Sequence, residues 1–587
     1  MEKKNSILKN ISADGNPVDL VTLEIIKGKL VATAEEMGLV LAKSSMSPVI
    51  YEVLDFACGI CTVDGQLIAQ TNGITVFTGI FETQVKAVLK KFDGQINRND
   101  VFLMNNPFEG GTHLCDICLI RPVFYDNHLV AFAIAVAHWS EVGGMTAGSL
   151  PTNATEVFQE GLRIPVLKFV ENDDINERLL DLILANSRLP ENCLGDLNAQ
   201  LASVKIADLR LVEIFEKYGK SITLNSFNDI LLASEKLSRQ AISNLPDGTY
   251  TANDHIDGDG IADTRYKINV AVTISNDELL VDFTGCCDQL QGPVNCSRSA
   301  MVSAVKTVMK AVVGPQEPSN DGWFRPLKVI CPDKTVFTAE PPAAVGWYYE
   351  ATGHASELVW KALAPLLEGS FSTGSANSLC VSVLAGESLE GDQFVLVEPG
   401  MVGWGATNSS DGASVVSAIT NGDTFNYSIE LLEAKFPLRL RKYELNLRGG
   451  SGSGRYRGGY GAVREYEILA KSATLSASFG RSIAKPWGMS GGSLGSNNRI
   501  EIIRGGEEIS GARLPAISLK AGDIVRFITG GGGGFGQSEE RPFSSIEEDV
   551  LGGYISREKA CSDYNVVFDT KDKIDVSATR QQRELLK

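Results

Sequence analysis

The stretch "GGTHLCDICLIRPVFYDNHLVAFAIAVAHWSEVGG", residues 110–144, carries His113, Asp116, His128 and His138 in a chain that has five histidines in all. Two imidazoles and a carboxylate are a common donor set for a divalent ion such as Zn, Mn or Fe. His113, Asp116 and His138 are therefore the candidate metal ligands, provided the chain folds so that they meet. On spacing alone, two unrelated polar residues near a loop and a histidine ending a strand remain an open alternative.

The elements that would position them can be read locally. "ICLIRPVF" and "LVAFAIAVAH" are apolar, partly β-branched runs on either side of "YDNH", the pattern of a hairpin. Paired residues in an antiparallel hairpin have a constant sum of numbers. A tight turn at Asp126–Asn127–His128 sets that sum at about 254, which places His138 across from residues 115–117. Opposed Cβ atoms then lie roughly 4.5–5.5 Å apart. In a regular strand His113 and Asp116 would face opposite sides, so the site requires a turn at 113–116, which Gly110 and Gly111 permit.

The other histidines read as structural. His128 is at the hairpin turn, His255 is expected in an exposed turn, and His354 is expected to begin a helix. "DHIDGDG" around His255 lacks the glutamate that a calcium loop has at its twelfth position.

Elsewhere, Leu20, Leu23, Ile26, Leu30 and Val31 recur at helical spacing behind Asp19, a candidate N-cap. "FACGICTVDGQLIAQ" reads as two strands around an Asp64–Gly65 turn. Residues 176–219 read as helices ended by Gly219. Further helices are expected near 297–312 and 353–367. The segments are a flexible arm (1–15), an α/β metal-site domain (16–245), a central α+β domain (246–435), a β-rich Gly-rich domain (436–536) and an extended tail (537–587).

Lys+Arg number 54 and Asp+Glu 72, leaving −18. Such an acidic surface disfavours nucleic acid and anionic membranes as partners. No apolar run is long enough to span a membrane, and the polar start does not read as a signal peptide. With eleven cysteines thinly spread, a cytoplasmic protein with reduced thiols is expected. Cys58–x–x–Cys61 and Cys115–x–x–Cys118 imitate zinc knuckles but stand too far apart, so buried thiols are the expectation. "GGSGSGRYRGGYG" and "TGGGGGFG" lack the strand–GxxxxGK[ST]–helix context of a phosphate loop, and close backbone packing or flexible loops are expected instead.

Several long segments resemble the hydantoinase B family. They include "NPVDLVTLEIIKGKLVATAEEMGLVLAKSSMSPVIYEVLDFACGICTVDGQLIAQ", "DVFLMNNPFEGGTHLCDICLIRPVF", "LILANSRLPENCLGDLNAQLAS", "KFPLRLRKYELNLRGGSGSGRYRGGYGAVREYEI" and "LKAGDIVRFITGGGGGFG". The resemblance covers most of residues 16–536. It implies a large multi-layer α+β fold with mixed sheets, a helical N-terminal half and a strand-rich, Gly-rich C-terminal half. It maps the family's metal ligands onto His113, Asp116 and His138, and adds Asp55 of "VLDF" as the fourth. It also implies a hydantoinase A-type partner that holds ATP and Mg, in a hetero-oligomer with two copies of each subunit.

The implied reaction is ATP-dependent opening of a cyclic amide (a hydantoin, oxoproline or lactam) after the partner phosphorylates its carbonyl. A ketone carboxylase using bicarbonate, and a scaffold with a structural metal, are the alternatives. Where many hydantoinase-like members read "HHAD", this chain has His138–Trp139–Ser140–Glu141. Glu141 is the candidate catalytic base or ligand-orienting acid, and Trp139 the candidate wall of an apolar pocket.

Overall fold

In the computed structural model, the two apolar runs pair as strands and become the centre of a sheet. The structure describes residues 18–585 apart from 368, 370, 423, 571 and 572. The expected arm at 1–15 lies outside the described residues. Helix α1 (Leu20–Ser44) starts at Asp19, whose carboxylate accepts from Thr22 N–H at 3.0 Å. Ile26, Leu30, Ala34, Met37 and Leu41 form its buried stripe. A short α2 (Pro48–Tyr51) leads through Leu54, at φ 62°, into β1 (Phe56–Cys61) and β2 (Leu67–Gln70). Then follow α3 (Thr75–Lys91), β3 (Val101–Met104), β4 (Asp116–Tyr125), β5 (His128–His138), β6 (Leu167–Glu171) and β7 (Asp174–Ile175).

These seven strands form one sheet in the order β2-β1-β5-β4-β3-β6-β7, antiparallel throughout. Its central strands are buried on both faces, which is why they read as continuous apolar runs rather than alternating ones. Helices α4 (Glu177–Ala185), α5 (Pro190–Tyr218) and α6 (Lys220–Ser243) follow. Packing of α5 against the sheet is fixed by buried Gln200, whose amide donates to Ile117 C=O at 2.8 Å and Ala135 C=O at 3.2 Å.

From residue 248 the chain builds a second sheet from β8 (Gly248–Asp257), β9 (Arg265–Ser275), β10 (Glu278–Asp282) and β11 (Leu327–Ile330). Helix α7 (Arg298–Val313) lies between the last two in sequence, and α8 (Tyr348–Leu363) follows. Strands β12 (Val381–Glu387) and β13 (Gln393–Glu398), then α9 (Ile429–Lys435) and β14 (Leu438–Leu445), lead into the C-terminal strands. These are β15 (Ala462–Ile468), β16 (Ser472–Ser478), β17 (Arg499–Arg504), β18 (Glu507–Gly511), β19 (Arg513–Leu519) and β20 (Ile524–Ile528). They form two more sheets, ordered β13-β12-β16-β19 and β14-β15-β20-β17-β18. One hydrophobic core runs from Ile26 to Phe527, continuous across the boundaries expected near 245 and 435.

Three expectations need correction. The described residues of 537–585 are not an extended tail: α10 (Phe543–Leu551) and α11 (Arg557–Tyr564) contribute to a small core of their own around Ile546, Tyr564 and Val566, and α12 (Val576–Leu585) follows. Arg541 docks them to the body through Asp411 at 2.8 Å. Each helix is ten residues or shorter, too brief for a clear apolar stripe among so many charges. Helix α8 begins at Tyr348 rather than 353, so His354 is buried in mid-helix. His255 lies on β8, not in a turn.

The glycine-rich segments pack backbone to backbone. Gly530 to Gly534 run between the 403–406, 452–459 and 489–496 segments. Gly532 N–H donates to Gly459 C=O (2.9 Å), and Gly452 N–H donates to Gly532 C=O (2.8 Å). A Cβ at any of these five glycines would come within 2.0–2.5 Å of a backbone oxygen. Among the described residues no helix is long and apolar enough to cross a membrane.

Candidate metal centre

The site is assembled at one end of three adjacent strands. Asp116 on β4 pairs directly with His138 on β5, the register expected from the turn. A two-residue turn at Asp126 (φ 50°) and Asn127 (φ 60°) closes the hairpin, and a bulge at Val123/Phe124 brings the numbering to that register. On the other side of β5, Phe56 pairs with Ala137, so the next position outward sets Asp55 beside His138. His138 N–H donates to Asp55 C=O at 3.0 Å. Leu54, left-handed without being glycine, makes the corner that delivers Asp55 to the strand end.

His113 is brought in by the turn that the spacing required. Asp116 N–H donates to His113 C=O at 3.3 Å, folding 113–116 so that both side chains face inward. His113 Nε2 then stands 3.1 Å from Asp116 Oδ1, and the rings of His113 and His138 are 5.0 Å apart between centroids. All four residues line one small cleft of about 20 Å³, room for an ion or a single water.

Neighbouring groups set the donor atoms. His113 Nδ1–H donates to Gly346 C=O at 2.9 Å, which directs Nε2 to the cleft. Thr112 hydroxyl donates to Asp116 Oδ2. His138 Nδ1 and Asp116 Oδ1 are buried without a hydrogen-bond partner among the described residues. Burial, and then the neighbouring His113, push the His138 ring down to about 4, so it stays neutral with a lone pair to offer. Burial, reinforced by Asp116, pushes the Asp55 carboxyl up to about 8. At His113 burial opposes the charged ring, but Asp116 overcomes it and raises the imidazole above its ordinary value.

Two crowded acids, a bare imidazole nitrogen and an orphaned carboxylate oxygen are the chemistry of a divalent-cation site. The residues present therefore fit a Zn, Mn or Fe ion. Cys115, expected to be only a buried thiol, lies with its Sγ within 4.8 Å of the ring nitrogens of both histidines. Burial keeps that thiol protonated, pushing it well above its ordinary value. The other half of the imitation knuckles does not converge here: Cys58 contacts Ser203, and Cys118 contacts Gln84.

Glu141 is placed differently from the expectation of a base at the cleft. Its oxygens accept from Gly143 N–H (2.6 Å), Gly148 N–H (2.8 Å) and Arg188 Nη1 (2.9 Å). The carboxylate thus ties down the 142–149 loop and is absent from the cleft lining. Trp139 is likewise no pocket wall. It is buried with its indole N–H donating to Gln200 Oε1 at 2.9 Å, because β5 ends with its side chain turned toward α5. His128 is exposed at the turn, as expected, and His354 stands apart from the cleft lining.

Sequence reasoning missed Tyr348, Tyr349, Asn421 and Glu160. The two tyrosines open α8 and line the cleft, where the Tyr348 ring is 5.0 Å from His113. Glu160 accepts from Gly346 N–H at 2.6 Å and so fixes the carbonyl that holds His113. The adjacent aromatics in "GWYYE", ahead of a helical pattern, were the one local signal.

Comparison with known proteins points one way. A family model described as hydantoinase B/oxoprolinase matches residues 19–538. An uncharacterized protein of Methanocaldococcus jannaschii is 35% identical over 97% of this chain and 100% of its own length. The caprolactamase subunit beta of Pseudomonas jessenii is 27% identical over 97% of this chain and 99% of its own. The crystal structure of ATP-dependent caprolactamase from Pseudomonas jessenii matches with a TM-score of 0.91 at 26% identity, covering 97% of this chain and 100% of that one.

Proposed function

The chain belongs to the hydantoinase B/oxoprolinase family, and from that premise we propose that it is the metal-bearing catalytic subunit of an ATP-dependent cyclic amide hydrolase. It works with a hydantoinase A-type partner that binds ATP and Mg and phosphorylates the carbonyl of the ring. The observation that carries this reading is the convergence of Asp55, His138 and Asp116 at three neighbouring strand ends, with His113 Nε2 3.1 Å from Asp116 Oδ1.

Asp55, His113, Asp116 and His138 would hold the ion. A divalent ion there would supply Lewis acidity and would make water more acidic. The chain's own residues do the rest. Gly346 C=O keeps the proton of His113 on Nδ1, and Thr112 holds Asp116 by its outer oxygen. Tyr348 and Tyr349 close the cleft and keep bulk water from the activated carbon. Glu141 acts as a positioning residue: it fixes the loop that ends at Leu150, which lines the cleft.

The test is reconstitution with the partner. Bound metal would be measured by elemental analysis, and ATP-dependent phosphate release would be followed on lactams, hydantoins and ketones with and without bicarbonate. Ring opening that needs the metal, and not bicarbonate, is expected. Bicarbonate-dependent turnover of a ketone, or turnover unchanged after metal removal, would sink the proposal.

A further inference from the structure

Cys115 stands apart from the other buried thiols. Cys58, Cys118, Cys193 and Cys331 set their sulfurs 3.5, 3.4, 3.1 and 3.4 Å from the side chains of Ser203, Gln84, Ser187 and Thr335. Cys115 Sγ has Gly148 C=O at 4.0 Å, too far for more than a weak contact. It lies instead within 4.8 Å of a ring nitrogen of His113 and of His138, and those two nitrogens are within the same distance of each other.

The backbone fixes this placement. Trp139 N–H donates to Cys115 C=O at 2.8 Å, and Ile117 N–H donates to the same carbonyl at 3.1 Å. Cys115 is thereby pinned beside the residue that follows His138, inside the turn that faces His113 inward. A buried cysteine by itself is an ordinary core residue. Here a second observation points to a ligand: His138 Nδ1 is buried without a hydrogen-bond partner among the described residues, and so is Oδ1 of Asp116, the next residue in the chain. The hollow lined by both histidines has about 20 Å³, room for an ion.

We propose that Cys115 is a thiolate ligand to the ion held by His113 and His138, and that it gives the site a preference for zinc over manganese. Carboxylates suit hard ions such as Mn and Mg, whereas a thiolate is a soft donor that suits Zn. On binding, the S–H bond is exchanged for a sulfur–metal bond and the proton leaves to solvent. This rests on the metal reading of the site, and it adds a donor that the family resemblance did not supply.

X-ray absorption at the zinc edge of the zinc-loaded full-length chain tests it. A sulfur scatterer at about 2.3 Å is expected beside nitrogen and oxygen at roughly 2.0–2.2 Å, and Cys115→Ser should abolish the sulfur. The cobalt-loaded chain should show sulfur-to-metal charge-transfer absorption that the variant lacks. In chelator competition, Cys115→Ser is expected to lower zinc affinity by at least about tenfold and to leave manganese affinity within about threefold. Cys115→Ala repeats each measurement should the serine variant fail to fold.

A shell of nitrogen and oxygen alone, or a zinc-to-manganese ratio unchanged by the substitution, would overturn the inference and leave the four-ligand site standing. A chain that took up no zinc would end both. If the sulfur were found while ring opening proved independent of metal, the hydrolase reading would fall and the thiolate assignment would stand.

Discussion

The metal cleft and the glycine stack obey opposite rules. In the cleft, side chains define the candidate site and valences are left open: His138 Nδ1, Asp116 Oδ1 and Tyr349 hydroxyl are buried without hydrogen-bond partners among the described residues. In the stack at 530–534, side chains are missing and the backbone is saturated with bonds to three neighbouring segments. The first region can lose a group and remain folded, because strand pairing and packing around it are independent of the ligands. The second cannot gain one, because its neighbours are main chain that has nowhere to move. Yet the two are joined. Gly530 C=O accepts from Gly403 N–H at 2.9 Å, just beyond Pro399 of the cleft wall. The candidate site rests on a framework that has no chemistry of its own.

The sharpest break in this contrast is a methyl-bearing side chain in the stack. Gly532→Val would drive its Cβ to 2.1 Å from Trp404 C=O. Loss of more than about 4 kcal/mol is expected, seen as lost soluble yield or a collapsed denaturation midpoint. A variant that melted like the wild type would show the stack to be pliable. His113→Ala should do the opposite. Metal content and turnover are expected to fall by more than about 100-fold, since even groups behind ligands account for 10–100-fold, while far-UV circular dichroism stays unchanged.

Thr112→Val removes one hydrogen bond to Asp116 Oδ2 and leaves the ligands in place. Metal affinity should drop by roughly 10–100-fold in a chelator competition, with the melting temperature little changed. Wild-type affinity in this variant would mean that Asp116 is held by its strand alone.

Glu160 separates the two regions by pH. Burial pushes its carboxyl up to about 8 in the folded chain, against 4.5 as its ordinary value, despite two backbone donors. Between those values the unfolded chain releases the proton while the folded chain keeps it. Folding stability therefore falls as pH rises through that window. Thermal melts of the metal-free protein should show this slope, and Glu160→Gln should reduce it, Asp55 supplying part of the remainder. The smallest effect belongs to Leu54→Gly. It relieves a left-handed strain of about 1 kcal/mol but removes the packing of Leu54 against the core, so the metal-free chain should not gain stability, while a looser corner at Asp55 weakens metal binding a few-fold.

Legibility followed sequence distance. The hairpin register was readable because ten residues on either side of Asp126–Asn127 suffice to count it, and Asp116 does face His138. The turn at 113–116 was demanded by the donor set and is present. The close packing of "TGGGGGFG" could be anticipated, since nothing but glycine tolerates main chain on several sides. Asp55 came only from family resemblance: its place depends on β1 pairing with β5, across some eighty residues. Glu141 reads as either a base or a ligand-orienting acid, because a buried acid after a strand looks the same whether it faces a cleft or a loop, and only its partners distinguish them.

By itself the sequence determined what is local: which runs become strands and helices, where α1 is capped, how one hairpin aligns two ligands, and which segments must pack without side chains. These follow from periodicity and from sterics within a few residues. Tertiary structure alone decided which distant pieces meet. It set Asp55 beside His138, laid Tyr348 and Tyr349 over the ligands, turned Trp139 toward α5 and folded the final helices back onto Asp411. Those contacts depend on burying surfaces far apart in the chain, and no spacing along it records how such surfaces will match.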